Sequence, residues 1–153
     1  AAGAGISVAL ACDIVIASDK ASFIEAFSRV GLVPDTGSSW FLPRLVGYAR
    51  AAEMAFTADP VDAATAERIG LVNRVVPADN LVAEANALAA RLAKSAPIAL
   101  ALAKRALNRA LDSNLEDALE FEAQLQSIAG RSADHREGVA AFVEKRPPDF
   151  KGE

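Results

Sequence analysis

Cysteine, histidine, methionine, tryptophan and tyrosine each occur once in these 153 residues, and the scarcities exclude several classes at once. A lone cysteine, Cys12, cannot close an internal disulfide, and it gives no cluster at metal-ligand spacing. No apolar run approaches the roughly 18 residues that a membrane span needs. No basic stretch leads into an apolar one, so no signal peptide is visible. Lys and Arg number 16 against 20 Asp and Glu, a net charge of −4 with no basic block. That balance argues against nucleic acid as a partner. An initial methionine is also lacking, since the single one is Met54. The chain opens on Ala1-Ala2-Gly3-Ala4-Gly5, and a Gly-rich turn that feeds an apolar helix ordinarily follows a strand. The expectation is a fragment that begins in mid-fold, with a processed N-terminus as the alternative.

What is present is core material. Apolar residues make up 52% of the chain and charged residues 24%, enough for one ordinary domain and too apolar for disorder. The class that remains is a soluble, intracellular globular chain without a membrane partner.

The residues after the opening turn alternate between elements. Ile6 to Cys12 reads as a short apolar helix. Asp13 to Ala17 is β-branched and short, which predicts a buried strand. Ala21 to Ile24 is a second extended piece, and Gly31 to Gly37 is a loop punctuated by Pro34. Helices follow from Ser38 to Gly47 and over residues 49–57. Asp62 can cap a third, with Gly70 where a C-terminal glycine belongs. Leu71 to Val76 is a strand stopped by Pro77. Beyond it the pattern is purely helical: residues 79–94, a helix started by Pro97, Asn114 to Ile128 and a last helix capped by Asp134. In the third of these, Leu115, Leu119, Leu125 and Ile128 are expected inward. The change near residue 78 is the internal boundary.

Few motifs carry chemistry. Gly3-Ala4-Gly5 at a helix start can present backbone N–H groups to an anion or a developing oxyanion, or can be only a tight turn. It is no dinucleotide fingerprint, because Val8 stands where the third glycine is needed, and no nucleophile elbow, because Ala9 follows Ser7 and Val8. His135, between Asp134 and Arg136, reads as a solvated helix-start residue. Asp35 lies between Pro34 and Thr36-Gly37, flanked by Leu32, Val33 and Trp40. It is either a helix cap or a carboxylate beside apolar surface, where desolvation favours acid/base work. Glu25 is a second acid or a solvent-facing residue. Trp40-Phe41 is most simply core.

Taken together, these residues resemble a known family. Ala1 to Ile14 is similar to the central signature of the crotonase (enoyl-CoA hydratase/isomerase) superfamily. Ala21-Ser22-Phe23, Gly31-Leu32-Val33-Pro34, Leu42-Pro43-Arg44-Leu45-Val46-Gly47 and Gly70 to Val76 continue the resemblance in order. Arg136-Glu137-Gly138-Val139-Ala140-Ala141-Phe142 with Glu144-Lys145-Arg146 closes it. The resemblance implies an α/β fold: the C-terminal half of a crotonase-like ββα spiral core over residues 1–77, then a helical oligomerisation region over residues 78–153. It also implies a segment ahead of Ala1, so that this chain alone is expected to be inactive.

The resemblance further implies an enzyme acting on an acyl-CoA thioester. Ala4 would donate a backbone N–H to the thioester oxygen. Gly3, Gly5, Ser7, Phe27 and Trp40 would line the substrate pocket, and Phe142 and Lys145 would approach the CoA. No metal and no cofactor beyond the coenzyme A of the substrate is expected. A homotrimer or dimer of trimers in the cytoplasm is the implied assembly. Hydratases of the family carry glutamates at the positions of Ser7 and Phe27, and both are missing here. Asp35 matches the catalytic aspartate of its dienoyl-CoA and ring-epoxide isomerases. The pattern from Ala26-Phe27 to Trp40-Phe41-Leu42-Pro43-Arg44, with Gly130 to Asp134, is similar to the branch that forms oxepin-CoA in phenylacetate degradation. The alternatives are a Δ3-Δ2-enoyl-CoA isomerase, then a hydratase, then a non-catalytic CoA-binding paralogue.

Overall fold

A glycine at positive φ starts the first element. In the computed structural model, which describes residues 1–153, Gly3 has φ 51° and ψ −129° and helix α1 (Ala4–Leu10) follows it. Ile6, Ser7 and Leu10 of α1 are buried, the spacing of one helical face. The chain divides into two compact units between Asn86 and Ala87, and each is described separately.

In the first unit, β1 (Ile16–Ser18) pairs in parallel with β4 (Arg74–Val76), setting Ala17 opposite Val75. The strand expected from Asp13 begins later, and Ile14 is exposed. The reason is local. The Val15 N–H is taken by the Asn73 side-chain oxygen at 2.7 Å, not by a neighbouring strand. Asp19 secures the other end, accepting from the Ala78 N–H at 3.0 Å. A second pair, β2 (Ser22–Phe23) antiparallel to β3 (Val61–Asp62), sets Phe23 opposite Val61.

A 3-10 turn (Ala26–Val30), closed by Gly31 at φ 70°, leads into the 31–37 loop. Helices α2 (Ser38–Val46) and α3 (Tyr48–Thr57) meet at Gly47, whose φ of 80° lets the chain change direction. Helix α4 (Ala63–Arg68) is capped as the sequence predicts, Asp62 accepting from the Thr65 N–H at 2.7 Å. That hydrogen bond foremost lowers the Asp62 carboxyl below the usual range. Ile6, Phe23, Leu42, Val46, Met54 and Leu71 form the centre of one apolar cluster. Burying one such side chain contributes about 1.5–3 kcal/mol.

Helix α5 (Leu81–Ala93) carries the division between the units. In the second unit, α6 (Pro97–Ala110) packs on α7 (Leu115–Ala129), with Leu102 and Leu125 buried. The inward face expected for α7 is corrected here. Leu119 and Ile128 are exposed, and Leu115 is 75% exposed. The helical period is as read, but the covered face is turned from the expected one: Ala118, Phe121, Leu125 and Ala129 are its less exposed positions. Asn114 caps α7, accepting from the Asp117 N–H at 2.9 Å.

Helix α8 (Ala133–Glu144) brings a second correction: its cap is Ser132, which accepts from the His135 N–H at 3.0 Å. Asp134 lies inside the helix, is buried, and accepts from the Lys151 and Gly152 N–H groups at 2.7 and 2.9 Å. No helix is long and apolar enough to cross a membrane.

Candidate functional site

The turn before α1 is fixed by its backbone. The Gly3 N–H donates to the Ile24 carbonyl at 2.9 Å, and the Ile24 N–H returns a bond to the Ala1 carbonyl at 3.0 Å. The Gly5 N–H donates to the Ala2 carbonyl at 3.0 Å. Ala4, the first residue of α1, has no helical carbonyl one turn earlier to accept its N–H, and the residue is exposed. Phe27 is buried against this turn: a Cβ built on Gly3 would lie 3.8 Å from Phe27 Cζ. Gly3, Ala4 and Phe27 are therefore neighbours.

The loop carrying Asp35 is held from two sides. Ser7, with no exposed surface, donates from Oγ to the Asp35 carbonyl at 3.1 Å. The Ser38 N–H donates to the same carbonyl at 2.9 Å. The Thr36 hydroxyl donates to Asp35 Oδ1 at 2.8 Å. Thr36 has φ 53° and Gly37 φ 85°, two left-handed residues in succession. Gly37, not Asp35, is the residue capping α2. A Cβ at Gly37 would stand 3.0 Å from Phe41 Cε2, so both backbone and packing ask for glycine.

Asp35 is exposed in this chain, and the desolvated carboxyl of the loop region is Glu25. Glu25 is 0% exposed and accepts from Ser38 Oγ at 2.6 Å, while its Oε2 has no hydrogen-bond partner. Burial pushes the Glu25 carboxyl above the usual range; the Ser38 hydroxyl opposes this and the charge of Asp35 adds to it. A signal for this burial was in the sequence. Phe23 and Glu25 are two positions apart on an extended piece and so share a face, and Phe23 is core.

Trp40, 37% exposed, meets Phe41 edge-on with ring centroids 4.9 Å apart, and the Arg44 guanidinium lies 3.9 Å over its ring. Gly5 is exposed one residue into α1. In the second unit, Phe142 is 85% exposed on α8, and Lys145 caps that helix at φ 57°. His135 is exposed in the first turn of α8.

The arrangement offers one exposed carboxylate on a fixed loop and one backbone N–H directed away from the helix. It can move a proton and hold a developing negative charge, given a substrate that reaches both.

The model of the family described as enoyl-CoA hydratase/isomerase matches residues 1–153. A Rhodobacter capsulatus protein described as a probable enoyl-CoA hydratase is 49% identical over 99% of this chain and 59% of its own length. The 1,2-epoxyphenylacetyl-CoA isomerase of Escherichia coli is 45% identical over 99% of the chain and 58% of its own length. A crystal structure of an enoyl-CoA hydratase from Bacillus anthracis superposes with a TM-score of 0.97 at 37% identity, covering 100% of this chain and 59% of that one. The fold is thus the α/β crotonase fold. The chain spans about 59% of the length of the relatives it matches.

Proposed function

Because the chain belongs to the enoyl-CoA hydratase/isomerase family, we propose that the protein containing it isomerises an acyl-CoA thioester through an enolate. The observation that carries this reading is what occupies the two positions where the resemblance places hydratase glutamates. Ser7 commits its Oγ to the Asp35 carbonyl, and Phe27 has no proton to exchange. Adding water across a double bond needs one group to activate water and another to deliver a proton. An isomerase needs a single group that takes a proton and gives it back.

Asp35 is that group in this reading. Its carboxylate removes a proton from a carbon near the thioester. The C–H electron pair moves toward the carbonyl, and the charge settles on the thioester oxygen. The Ala4 N–H donates to that oxygen, an arrangement worth about 10² to 10³ in rate per donor. The protonated Asp35 then returns its proton to a different carbon, the electron pair of the enolate moves back to form that C–H bond, and the carboxylate is regenerated.

Gly3 and Gly5 leave room at the turn, Phe27 and Trp40 bound the acyl side of the pocket, and Ser7 lies buried behind it, holding the Asp35 loop. Phe142 and Lys145 contact the CoA in the assembled protein. Coenzyme A enters as part of the substrate, with no separate cofactor. The exposed apolar residues of α7 and α8 suit a homotrimer or dimer of trimers, in the cytoplasm. The ring epoxide of phenylacetyl-CoA is the acyl group we favour, supported by the Escherichia coli relative. A hydratase is the second reading, supported by the description of the Rhodobacter capsulatus relative.

Asp35→Asn in the protein containing this chain tests the assignment. Turnover should fall by about 10² to 10⁴, the range of a lost general acid/base, with CoA-ester binding kept. Near-wild-type turnover on the isomerase substrate would remove Asp35 from the mechanism.

A further inference from the structure

The proton transfer above does not use Glu25, although this is the one buried side chain with an oxygen that finds no partner. Its surroundings are specific. Glu25 is 0% exposed and ends the extended piece that holds the Gly3 turn through Ile24. Its one hydrogen-bond donor is the Ser38 hydroxyl, at 2.6 Å. Ser38 is itself 0% exposed, and its N–H donates to the Asp35 carbonyl. Three hydrogen bonds, Gly3 to Ile24, Ser38 to Glu25 and Ser38 to Asp35, together with the Ile24–Glu25 peptide link, therefore run from the turn that carries Ala4 to the loop that carries Asp35.

We propose that Glu25 is a positioning residue for Asp35, acting through Ser38 as an uncharged carboxylic acid. The inference rests on the reading of Asp35 as the acid/base. An ionised carboxylate wants several donors or a cation, and away from water an unpaired one is costly. Glu25 has a single hydroxyl and no cation in any of its contacts, and the charged neighbour acting on it is Asp35, of its own sign. Burial pushes its carboxyl upward in the same sense. The neutral form keeps the Ser38 contact without placing a second negative charge beside the working one.

Glu25→Gln and Glu25→Ala, with Asp35→Asn as reference, separate the possibilities in the protein containing this chain. Glu25→Ala should lower kcat by roughly ten-fold, the scale of one lost hydrogen bond on a positioned group, with KM unchanged. Glu25→Gln, a neutral isostere, should restore most of that loss and leave the acidic limb of the pH–rate profile in place. Infrared difference spectra of the wild type against Glu25→Gln should show a protonated carboxylic acid at neutral pH. A limb moved to lower pH in Glu25→Gln, or an ionised carboxylate band, would overturn the neutral form. Unchanged kcat in Glu25→Ala with only a lowered Tm would overturn the positioning role. If Glu25→Ala does not fold, the limb position and the infrared band in Glu25→Gln still decide. Normal turnover in Asp35→Asn would instead sink the assignment of Asp35, separately from these readouts.

Discussion

Ser7 Oγ donates to the carbonyl of Asp35, 28 positions further on, across 3.1 Å with no exposed surface at the serine. The bond ties the middle of α1 to the loop whose side chain is assigned the chemistry. In Ser7→Ala the carbonyl keeps only the Ser38 N–H. A lost hydrogen bond of this kind costs about 0.5–1.5 kcal/mol, so thermal unfolding should show a small loss. Turnover should fall further than stability, because the loop loses its link to the helix beside Ala4. Equal, small losses in both would show that Ser7 is packing only.

Hydration should be weak. Offered crotonyl-CoA, the protein containing this chain should form little 3-hydroxy product, since Ser7 and Phe27 cannot divide the two proton roles. Chromatography of the products against the isomerase reaction measures the ratio, and comparable rates would favour the hydratase reading.

Asp134 should matter to stability and not to chemistry. It is buried and accepts from the N–H groups of Lys151 and Gly152. Lys151 is exposed and Gly152 half-buried, so water can reach the donors that Asp134→Ala frees, and each lost bond should cost about 0.5–1.5 kcal/mol. The expected outcome is a lower Tm and earlier hydrogen exchange at 151 and 152, with KM and kcat unaltered.

Two carboxyls should tilt stability against pH in opposite directions. Glu137 receives two guanidinium bonds from Arg146, at 2.6 and 2.9 Å, and one from the Asp149 N–H at 2.9 Å. The Arg146 bonds foremost hold its carboxyl down at about 2 from an ordinary value of 4.5. A depressed folded value means stability that is present above 4.5 and lost as pH falls toward 2. Glu25 is shifted the other way, so its contribution is full below 4.5 and declines as pH rises above it. Denaturation midpoints of Glu137→Gln across the acidic range should flatten the first slope alone.

Much of the fold was legible because it is written locally. Asp62 with Thr65, the glycines at 47 and 70, and Pro97 at a helix start act within a turn of where they stand. What escaped the sequence depends on distant chain. Asp134 looks like a cap, but its partners lie 17 and 18 positions away, and Ser132 fills the capping place. Leu115 and Ile128 carry the period of a buried face, while burial depends on what covers that face. The site divides in the same way. Geometry joins Gly3 to Phe27 and Ser7 to Asp35. Trp40, in the first turn of α2, is engaged by Phe41 and Arg44. Glu25 escaped because an acid among core residues contradicts the usual rule for charged side chains.

Thr36 sits at φ 53°, a conformation that a β-branched residue adopts at a cost of order 1–3 kcal/mol. Its hydroxyl is the group bonded to the Asp35 carboxylate. Heat tolerance and turnover therefore make opposite demands on one codon. Thr36→Gly would relax the backbone and raise the Tm, but would free the carboxylate and slow the reaction. A library selected for thermal survival alone should drift to glycine or asparagine at 36 and lose activity as it does. A library selected for activity should keep threonine or serine there and tolerate the lower melting point.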